Sequence, residues 1–180
     1  PVVGKHGVKP GAVILIHGQF IRPDQVQQLK GLGIFPSMFP MHTFYWGDWY
    51  TKIVGPEQAA QISPMRSILN TGLHATSHTD APVALPNLMQ VAWATVNRVS
   101  RSGKVIGPDE RVTPYEAMQM ITLWGAEQFG EAASKGSIEV GKSADLVVLS
   151  ADPVAIDPMK INTIVVNETI KDGKTVWTRK

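Results

Sequence analysis

The residues best suited to chemistry are the histidine and the carboxylate of the run His78-Thr79-Asp80. Small and β-capable residues precede this run, and Pro82 follows two residues after the aspartate, where it would end a strand. An acidic residue at the carboxyl end of a short buried strand is typical of the active sites of α/β barrels. The same aspartate would also suit an ordinary turn before a proline, and this stretch alone does not separate the two interpretations.

A second predicted strand also ends in a potential metal ligand, His17. The apolar run 13–16 before it is continuous rather than alternating, which predicts a strand covered on both faces, as in parallel sheets. Imidazole and carboxylate without a thiol suit zinc or another borderline divalent cation. A catalytic zinc normally has three protein ligands, so two are too few. A lone histidine at a strand end is more often simply a hydrogen-bonded polar residue.

Alternating strands and helices are predicted to position these residues. Residues 1–12 are predicted to form a loop, strands are predicted over 13–17, 34–39 and 73–79, and helices are predicted to begin near Arg22, Ser63, Asn87 and Thr113. The last two helices are expected to end near Ser102 and Phe129. This order predicts an α/β fold with three strand–helix units of a parallel sheet or barrel.

Three such units do not close a barrel, because a closed eight-stranded barrel takes about 250 residues. They would leave two strand edges unpaired, which favours association. The chain also begins at Pro1 rather than methionine. We therefore expect a piece of a longer protein that associates with itself, as a homo-oligomer, or with a missing amino-terminal part.

Residues 40–50 carry five aromatic rings and a histidine without a clear period. We expect an irregular loop that forms a pocket wall, because loops with such side chains usually line a site. The alternative is a small satellite core beneath a long loop.

The character of the chain changes at Gly136. Residues 136–142 are a turn-rich link, and strands without any helix are predicted over 145–149, 161–166 and 175–178. Asp172-Gly173 is a hairpin turn signal. We therefore predict a partial barrel domain over 1–135 and part of a small β domain over 136–180.

Composition narrows the class of protein. Hydrophobic residues make up 43% and charged residues 18% of the 180, which predicts a globular chain. The net charge of +2 without a lysine or arginine cluster does not predict nucleic-acid binding, and no apolar run approaches the roughly 20 residues of a membrane helix. The lack of cysteine excludes disulfides and thiolate metal sites. The compartment stays open, with the cytoplasm favoured and the periplasm as the alternative.

Three segments together resemble the carboxyl-terminal part of the amidohydrolase superfamily, specifically its YtcJ-like group of metal-dependent amidohydrolases. These segments are 14–19, 78–83 and 136–149. The last is the most specific, because it resembles the point where such chains leave the barrel and return to a β-sandwich built from both termini. Residues 169–176 resemble the closing hairpin, and the likeness covers about residues 12–178.

The resemblance implies a metal-bearing (β/α)8 barrel, with the three predicted strands as barrel strands six, seven and eight. His17 would match the metal-binding histidine of strand six. Asp80 would match the aspartate of strand eight, which activates the hydrolytic water and often touches the metal. The implied cofactor is one or two divalent ions, with zinc the first choice. The family's remaining ligands would lie upstream of this chain.

The resemblance also places candidate substrate contacts. His42 and Trp46 would follow strand seven, on the side where the active site opens, and could hydrogen-bond to the substrate and stack on it. His78 would share a strand face with Asp80, where it could support the carboxylate; a barrel residue paired to the backbone is an equal alternative. His6 and His74 are interpreted as surface residues. Arg66 and Arg98 could meet an acidic substrate, but exposed surface charges are the preferred interpretation of both.

The leading functional hypothesis is a metal-dependent hydrolase that cleaves a carbon–nitrogen bond of a small, non-peptide amide. Asp80 would take the proton of the attacking water and return it to the leaving nitrogen. The rival hypothesis is a non-catalytic half-barrel, motivated by the incomplete ligand set and the open strand edges. A third hypothesis, also enzymatic, is a deaminase on the same scaffold.

Overall fold

The computed structural model describes Lys5 and residues 12–180. Its first sheet contains three parallel strands in sequence order: β1 (Ile14–His17), β2 (Phe35–Met38) and β3 (Thr76–Ser77). Because His17 pairs with Met38 and Met38 with Ser77, the carboxyl ends of the strands meet at one edge. The three strands predicted for this region are confirmed, although β3 is only two residues long. The loop predicted over 1–12, and His6 within it, lie almost entirely outside the described residues.

Helices follow each strand of this sheet. They are α1 (Pro23–Leu32), α2 (Met41–Ile53), α3 (Pro56–Ala60), α4 (Met65–Asn70), α5 (Leu88–Asn97), α6 (Pro114–Ile121) and α7 (Leu123–Gln128). α1 ends where Gly33 takes a left-handed conformation (φ 63°) that a glycine adopts without strain. α6 begins near Thr113, as predicted, with a capping box in which the Thr113 hydroxyl accepts from the Glu116 N–H and the Glu116 carboxylate accepts from the Thr113 N–H.

The aromatic segment 40–50 is not a loop; the expectation of irregular structure there was wrong. It forms most of α2, whose buried residues are Met41, His42, Thr43 and Gly47. Aromatic residues occur on several sides of this helix, so the hydrophobic pattern lost its helical period. Their rings pack against one another and against α5, as in the edge-to-face contact of Phe44 with Trp93 at 5.8 Å between centroids.

Two helices predicted as single long segments are shorter. α5 ends at Asn97 rather than near Ser102, because Arg98 takes a left-handed conformation (φ 53°) that ends the helix. The helix predicted from Thr113 to Phe129 is interrupted at Thr122 (φ −129°, ψ −93°), which separates α6 from α7. Neither break involves a glycine or a proline, so the sequence carries no local breaker at these positions.

The carboxyl-terminal part forms a second, antiparallel sheet of three strands: β4 (Leu146–Leu149), β5 (Val166–Lys171) and β6 (Lys174–Thr178). The predicted hairpin at Asp172-Gly173 is confirmed, with both residues at positive φ (49° and 74°). The strand predicted over 161–166, and the expected absence of helix, were wrong. Residues Pro158–Thr163 form a 3₁₀ helix, and only Val166 of the predicted strand belongs to β5.

This 3₁₀ helix packs against α5. The Trp93 indole N–H donates to the Met159 carbonyl at 3.0 Å, and the Asn97 amide donates to the Pro158 carbonyl at 2.9 Å. Ile161 is 1% exposed within the main hydrophobic core. A segment whose sequence predicts a strand therefore takes the conformation that its tertiary contacts favour, and not the one that its β propensity favours.

The main core lies between the parallel sheet and its helices. Side chains that are almost completely buried there include Met38, Phe39, Met65, Ile68, Val91 and Met120. Full burial of such a side chain contributes about 1.5–3 kcal/mol. The core therefore fixes the edge where β1, β2 and β3 end.

Arg98 is buried, and its interpretation as a surface residue was wrong. Its side chain is 1% exposed, and the guanidinium donates to the main-chain carbonyls of Ile106, Ser63, Ala60 and Ile62 at 2.7–3.2 Å. Burial lowers the pKa of Arg98 to about 10, against an opposing effect of the Glu110 carboxylate, so the group stays charged at neutral pH. These hydrogen bonds fix the turn between α3 and α4.

Replacing Arg98 with methionine keeps much of the apolar stem but leaves several buried carbonyls without their donor. We expect Arg98→Met to reduce the free energy of unfolding by about 3 kcal/mol, measured by urea denaturation. Arg101 is exposed, so Arg101→Met serves as the control and should change stability by less than about 0.5 kcal/mol. Equal stability of the two variants would contradict the structural role of Arg98.

Arg66 is partly buried and pairs with Glu116 through two hydrogen bonds of 2.9 Å and 2.5 Å. The Glu116 carboxylate also accepts from the N–H and the hydroxyl of Thr113 at 2.7 and 2.8 Å. The Arg66 guanidinium and these donors lower the pKa of Glu116 to about 2. The pair connects α4 to the first turn of α6.

Because the folded-state pKa of Glu116 lies below its ordinary value of 4.5, its contribution is complete above about pH 4.5. It is lost as the pH falls towards 2. Glu116→Gln should therefore cost about 1 kcal/mol at pH 7, and the stabilities of variant and wild type should converge between pH 4.5 and 2. Thermal unfolding across this range measures the effect. Glu131→Gln, which removes the exposed pair with Lys135, is the control and should show no such convergence.

Candidate metal and substrate site

His17 and Asp80 approach each other at the carboxyl edge of the parallel sheet. His17 is the last residue of β1, and Asp80 follows β3 by three residues. The His17 Nε2 atom lies 3.8 Å from the Asp80 Oδ1 atom, and both side chains are about one-third exposed. Both residues have positive φ (69° and 52°), a strained conformation for non-glycine residues that is concentrated at functional sites.

Two further histidines surround His17. The rings of His78 and His42 lie 5.0 Å and 5.6 Å from the His17 ring, between centroids. Phe39, which follows β2 directly, is 1% exposed and stacks on His78 at 5.3 Å with an interplanar angle of 18°. The strand edge therefore carries one carboxylate and three imidazoles packed around one phenyl ring.

The two surrounding histidines are uncharged at neutral pH. Burial, followed by the neighbouring imidazoles of His17 and then His78, lowers the pKa of His42 to about 4, while the Asp80 carboxylate opposes the shift. Burial and then His17 also lower the pKa of His78. At pH 7 both rings are therefore neutral groups that can donate one hydrogen bond and accept another.

The donor set fits two positions of a divalent metal site. Two ligands bound at about 2.0–2.2 Å to one ion can have donor atoms 3.8 Å apart, as His17 and Asp80 do. The buried Nδ1 of His17 and Nε2 of His78 lack a hydrogen-bond partner among the residues that the structure describes, which is unusual for buried nitrogens. Among Lys5 and residues 12–180, no group of three or more histidine or acidic side chains is arranged to hold an ion. This part of the chain therefore offers two candidate donors, one fewer than the three protein ligands that a catalytic zinc normally has.

The remaining predicted residues divide between the site and the surface. Trp46 lies one helical turn after His42 on α2, with the ring centroids 6.0 Å apart, so both come from a helix rather than from the predicted loop. His74 lies outside the site. Its ring stacks on Trp124 at 4.5 Å, and its Nδ1 is 2.6 Å from a carboxylate oxygen of Glu127.

Sequence reasoning missed two residues that contact the site, Phe39 and Ser63. Ser63 is completely buried, and its hydroxyl oxygen lies 3.4 Å from His42 Nδ1. In the sequence Ser63 precedes a proline and marks the start of a helix, and nothing there indicates a contact with residue 42, which is 21 positions away.

Comparison with known proteins assigns the family. The model of the amidohydrolase family matches residues 2–177. Among similar proteins, the N-substituted formamide deformylase of Arthrobacter pascens is 32% identical over 160 residues, which cover 88% of this chain and 30% of that protein. The putative amidohydrolase YtcJ of Bacillus subtilis is 24% identical over 166 residues, covering 91% of this chain and 31% of that protein. The chain thus spans about 30% of the length of these relatives.

Solved structures support the same fold. A metal-dependent hydrolase from Pyrococcus horikoshii aligns with a TM-score of 0.71 and 24% identity over 87% of this chain and 32% of that one. An adenosine deaminase from Xanthomonas campestris with bound zinc aligns with a TM-score of 0.70 and 17% identity over 97% of this chain and 39% of that one. At these identities the likeness shows the fold, a partial TIM-barrel-type domain with parallel strands and helices. Since the family model matches nearly the whole sequence, this chain belongs to the amidohydrolase family.

Proposed function

We propose that the protein containing this chain is a metal-dependent hydrolase of carbon–nitrogen bonds in small, non-peptide amides. The observation that carries the proposal is the 3.8 Å approach of His17 Nε2 to Asp80 Oδ1 at the carboxyl edge of the sheet. Family membership supports this class of reaction, and so does a relative that acts as a deformylase of N-substituted formamides.

The proposal includes a finer assignment of the fold. β1, β2 and β3 are barrel strands six, seven and eight, and β4–β6 form part of a β-sandwich. The boundary between the two domains lies between residues 135 and 136. The parallel order β1-β2-β3 followed by a separate antiparallel sheet supports this assignment.

His17 and Asp80 are the residues that would hold a divalent ion, with zinc favoured by the nitrogen and oxygen donor set. When bound, such an ion polarises a carbonyl and lowers the pKa of water towards about 7. Asp80 accepts the proton of the attacking water at its carboxylate and returns it to the leaving nitrogen. His42, Trp46 and His78 contact the substrate beside it, and the neutral imidazoles of His42 and His78 add no charge there.

Two alternatives have support of their own. A non-catalytic half-barrel is supported by the two-ligand set among the described residues and by the positions of β1 and β3 at the outer edges of their sheet. Association with a second copy or with an upstream part of the protein would cover those edges. A deaminase on the same scaffold is supported by a relative from Thermoanaerobacter pseudethanolicus, a 5-methylthioadenosine/S-adenosylhomocysteine deaminase that is 29% identical over 143 residues.

None of the helices in the described part of the chain has the length and apolarity that crossing a bilayer requires. Compartment and oligomeric state stay as predicted from the sequence.

Asp80 is tested by Asp80→Asn in the protein that the intact gene encodes. Because the amide cannot take the proton, turnover of an N-substituted formamide should fall by about 10²–10⁴-fold, while the thermal unfolding temperature stays close to that of wild type. Asp109 is exposed and lies outside the three strands of the parallel sheet and the residues that directly follow them. Asp109→Asn is therefore the control and should keep full turnover. Near-normal turnover of Asp80→Asn would remove Asp80 from the mechanism.

Metal binding is tested by His17→Asn in the same protein, with zinc content measured by elemental mass spectrometry during titration with a chelator. Loss of a ligand should weaken zinc binding by more than about tenfold. About tenfold is the smallest effect typical of a residue that hydrogen-bonds to a ligand without binding the metal itself. His74→Asn, which changes a histidine outside the site, should leave zinc binding unchanged. If His17→Asn retains zinc as tightly as wild type, His17 is not a ligand.

A further inference from the structure

Ser63 is a fixed point behind the candidate site. It lies between α3 and α4, is 0% exposed and has a positive φ of 47°. Its N–H donates to the Gln19 carbonyl at 2.9 Å, and its carbonyl accepts from the Met65 N–H at 2.9 Å and from the Arg98 guanidinium at 3.0 Å. The main-chain groups of Ser63 thus make three hydrogen bonds, which fix the residue against the loop that follows β1, the start of α4 and the buried arginine.

The hydroxyl of Ser63 bears on which nitrogen of His42 carries a proton. A serine hydroxyl has a single hydrogen, and the Phe39 carbonyl, which can only accept, lies nearer to it (3.1 Å) than His42 Nδ1 does (3.4 Å). With the hydrogen directed to the carbonyl, the hydroxyl oxygen accepts from His42 Nδ1.

The other ring nitrogen of His42 faces a different situation. Nε2 makes no hydrogen bond to any described residue, and the ring packs between His17, Phe39 and Trp46 at centroid distances of 5.6, 4.8 and 6.0 Å. His42 is 8% exposed, a burial that disfavours a charged ring. With the proton on Nδ1, Nε2 has a free lone pair on a ring whose centroid lies 5.6 Å from that of His17.

We propose that Ser63 is a positioning residue that holds His42 with its proton on Nδ1, so that Nε2 accepts a hydrogen bond from an N–H group of the substrate. The substrate class is then an amide that keeps a hydrogen on nitrogen, such as a mono-N-substituted formamide. An N-methylated amide of the same size lacks the donor and leaves Nε2 unpaired. The choice of an amide rests on the proposed function, whereas the position of the proton rests on the geometry of Ser63 alone.

The proton position is measured by ¹⁵N NMR of the imidazole nitrogens in the protein that the intact gene encodes, labelled with ¹⁵N-histidine. The signals of His42 are those that disappear in His42→Gln. In wild type we expect the proton on Nδ1 and an unprotonated Nε2. A proton on Nε2 in wild type would overturn the proposal, and this measurement needs no variant of Ser63.

Ser63→Gly removes the hydroxyl and suits the positive φ, because glycine adopts this conformation without strain. In this variant the His42 proton should no longer be confined to Nδ1. The matched control is Ser37→Ala: Ser37 is a buried serine of β2 whose hydroxyl lies 2.9 Å from the Thr76 hydroxyl and makes no hydrogen bond to a histidine of the described residues. The control should leave the His42 signals unchanged, and an unchanged Ser63→Gly spectrum would overturn the role of Ser63.

The substrate preference is measured with a mono-N-substituted formamide and its N-methyl counterpart. Wild type should favour the N–H substrate in kcat/KM, and Ser63→Gly should reduce that preference by roughly tenfold, mainly through KM. Ser37→Ala should keep the preference. Equal losses on both substrates in Ser63→Gly would mean a merely structural role and would overturn the proposal.

The two measurements separate the possible failures. If wild type hydrolyses neither formamide, the proposed function fails and the substrate half of the inference fails with it. The NMR result still confirms or overturns the role of Ser63 in that case. If the formamides are hydrolysed but the proton lies on Nε2, the proposed function stands and the inference is wrong.

Discussion

Parallel pairing of β1, β2 and β3 is the constraint on which the candidate site depends. Parallel strands end at the same edge, so residues that follow β1 and β3 must approach each other across β2. The register pairs His17 with Met38 and Met38 with Ser77, and this brings His17 Nε2 to 3.8 Å from Asp80 Oδ1 although the two residues are 63 positions apart. A slip of one residue would turn His17 to the opposite face of the sheet.

Behind this edge, a buried arginine supplies hydrogen-bond donors to main-chain carbonyls. Arg98 ends α5 in a left-handed conformation and donates to carbonyls of the turn that holds Ser63. Ser63 in turn contacts His42 and the Phe39 carbonyl. A buried arginine is costly unless its donors are paired, so the turn and the guanidinium require each other. The surroundings of His42 therefore depend on Ser63 and, through the turn that holds it, on Arg98.

The described residues offer two candidate metal ligands, His17 and Asp80, and the chain spans about 30% of the length of its relatives. β1 and β3 are the outer strands of their sheet, and an exposed strand edge favours pairing with another segment. If the remaining strands of the barrel carry the remaining ligands, then one cause, the lack of those strands in this chain, explains both the incomplete ligand set and the unpaired strand edges.

The sequence by itself determined the local features. A continuous apolar run identified β1, and the Asp172-Gly173 pair identified the closing hairpin, because each depends on neighbouring residues only. The tertiary structure alone decided that 40–50 is helical, that 158–163 is a 3₁₀ helix, and that Arg98 and Ser63 are buried behind His42. These features depend on contacts between residues distant in the chain, and such contacts leave no periodic or spacing pattern in the sequence.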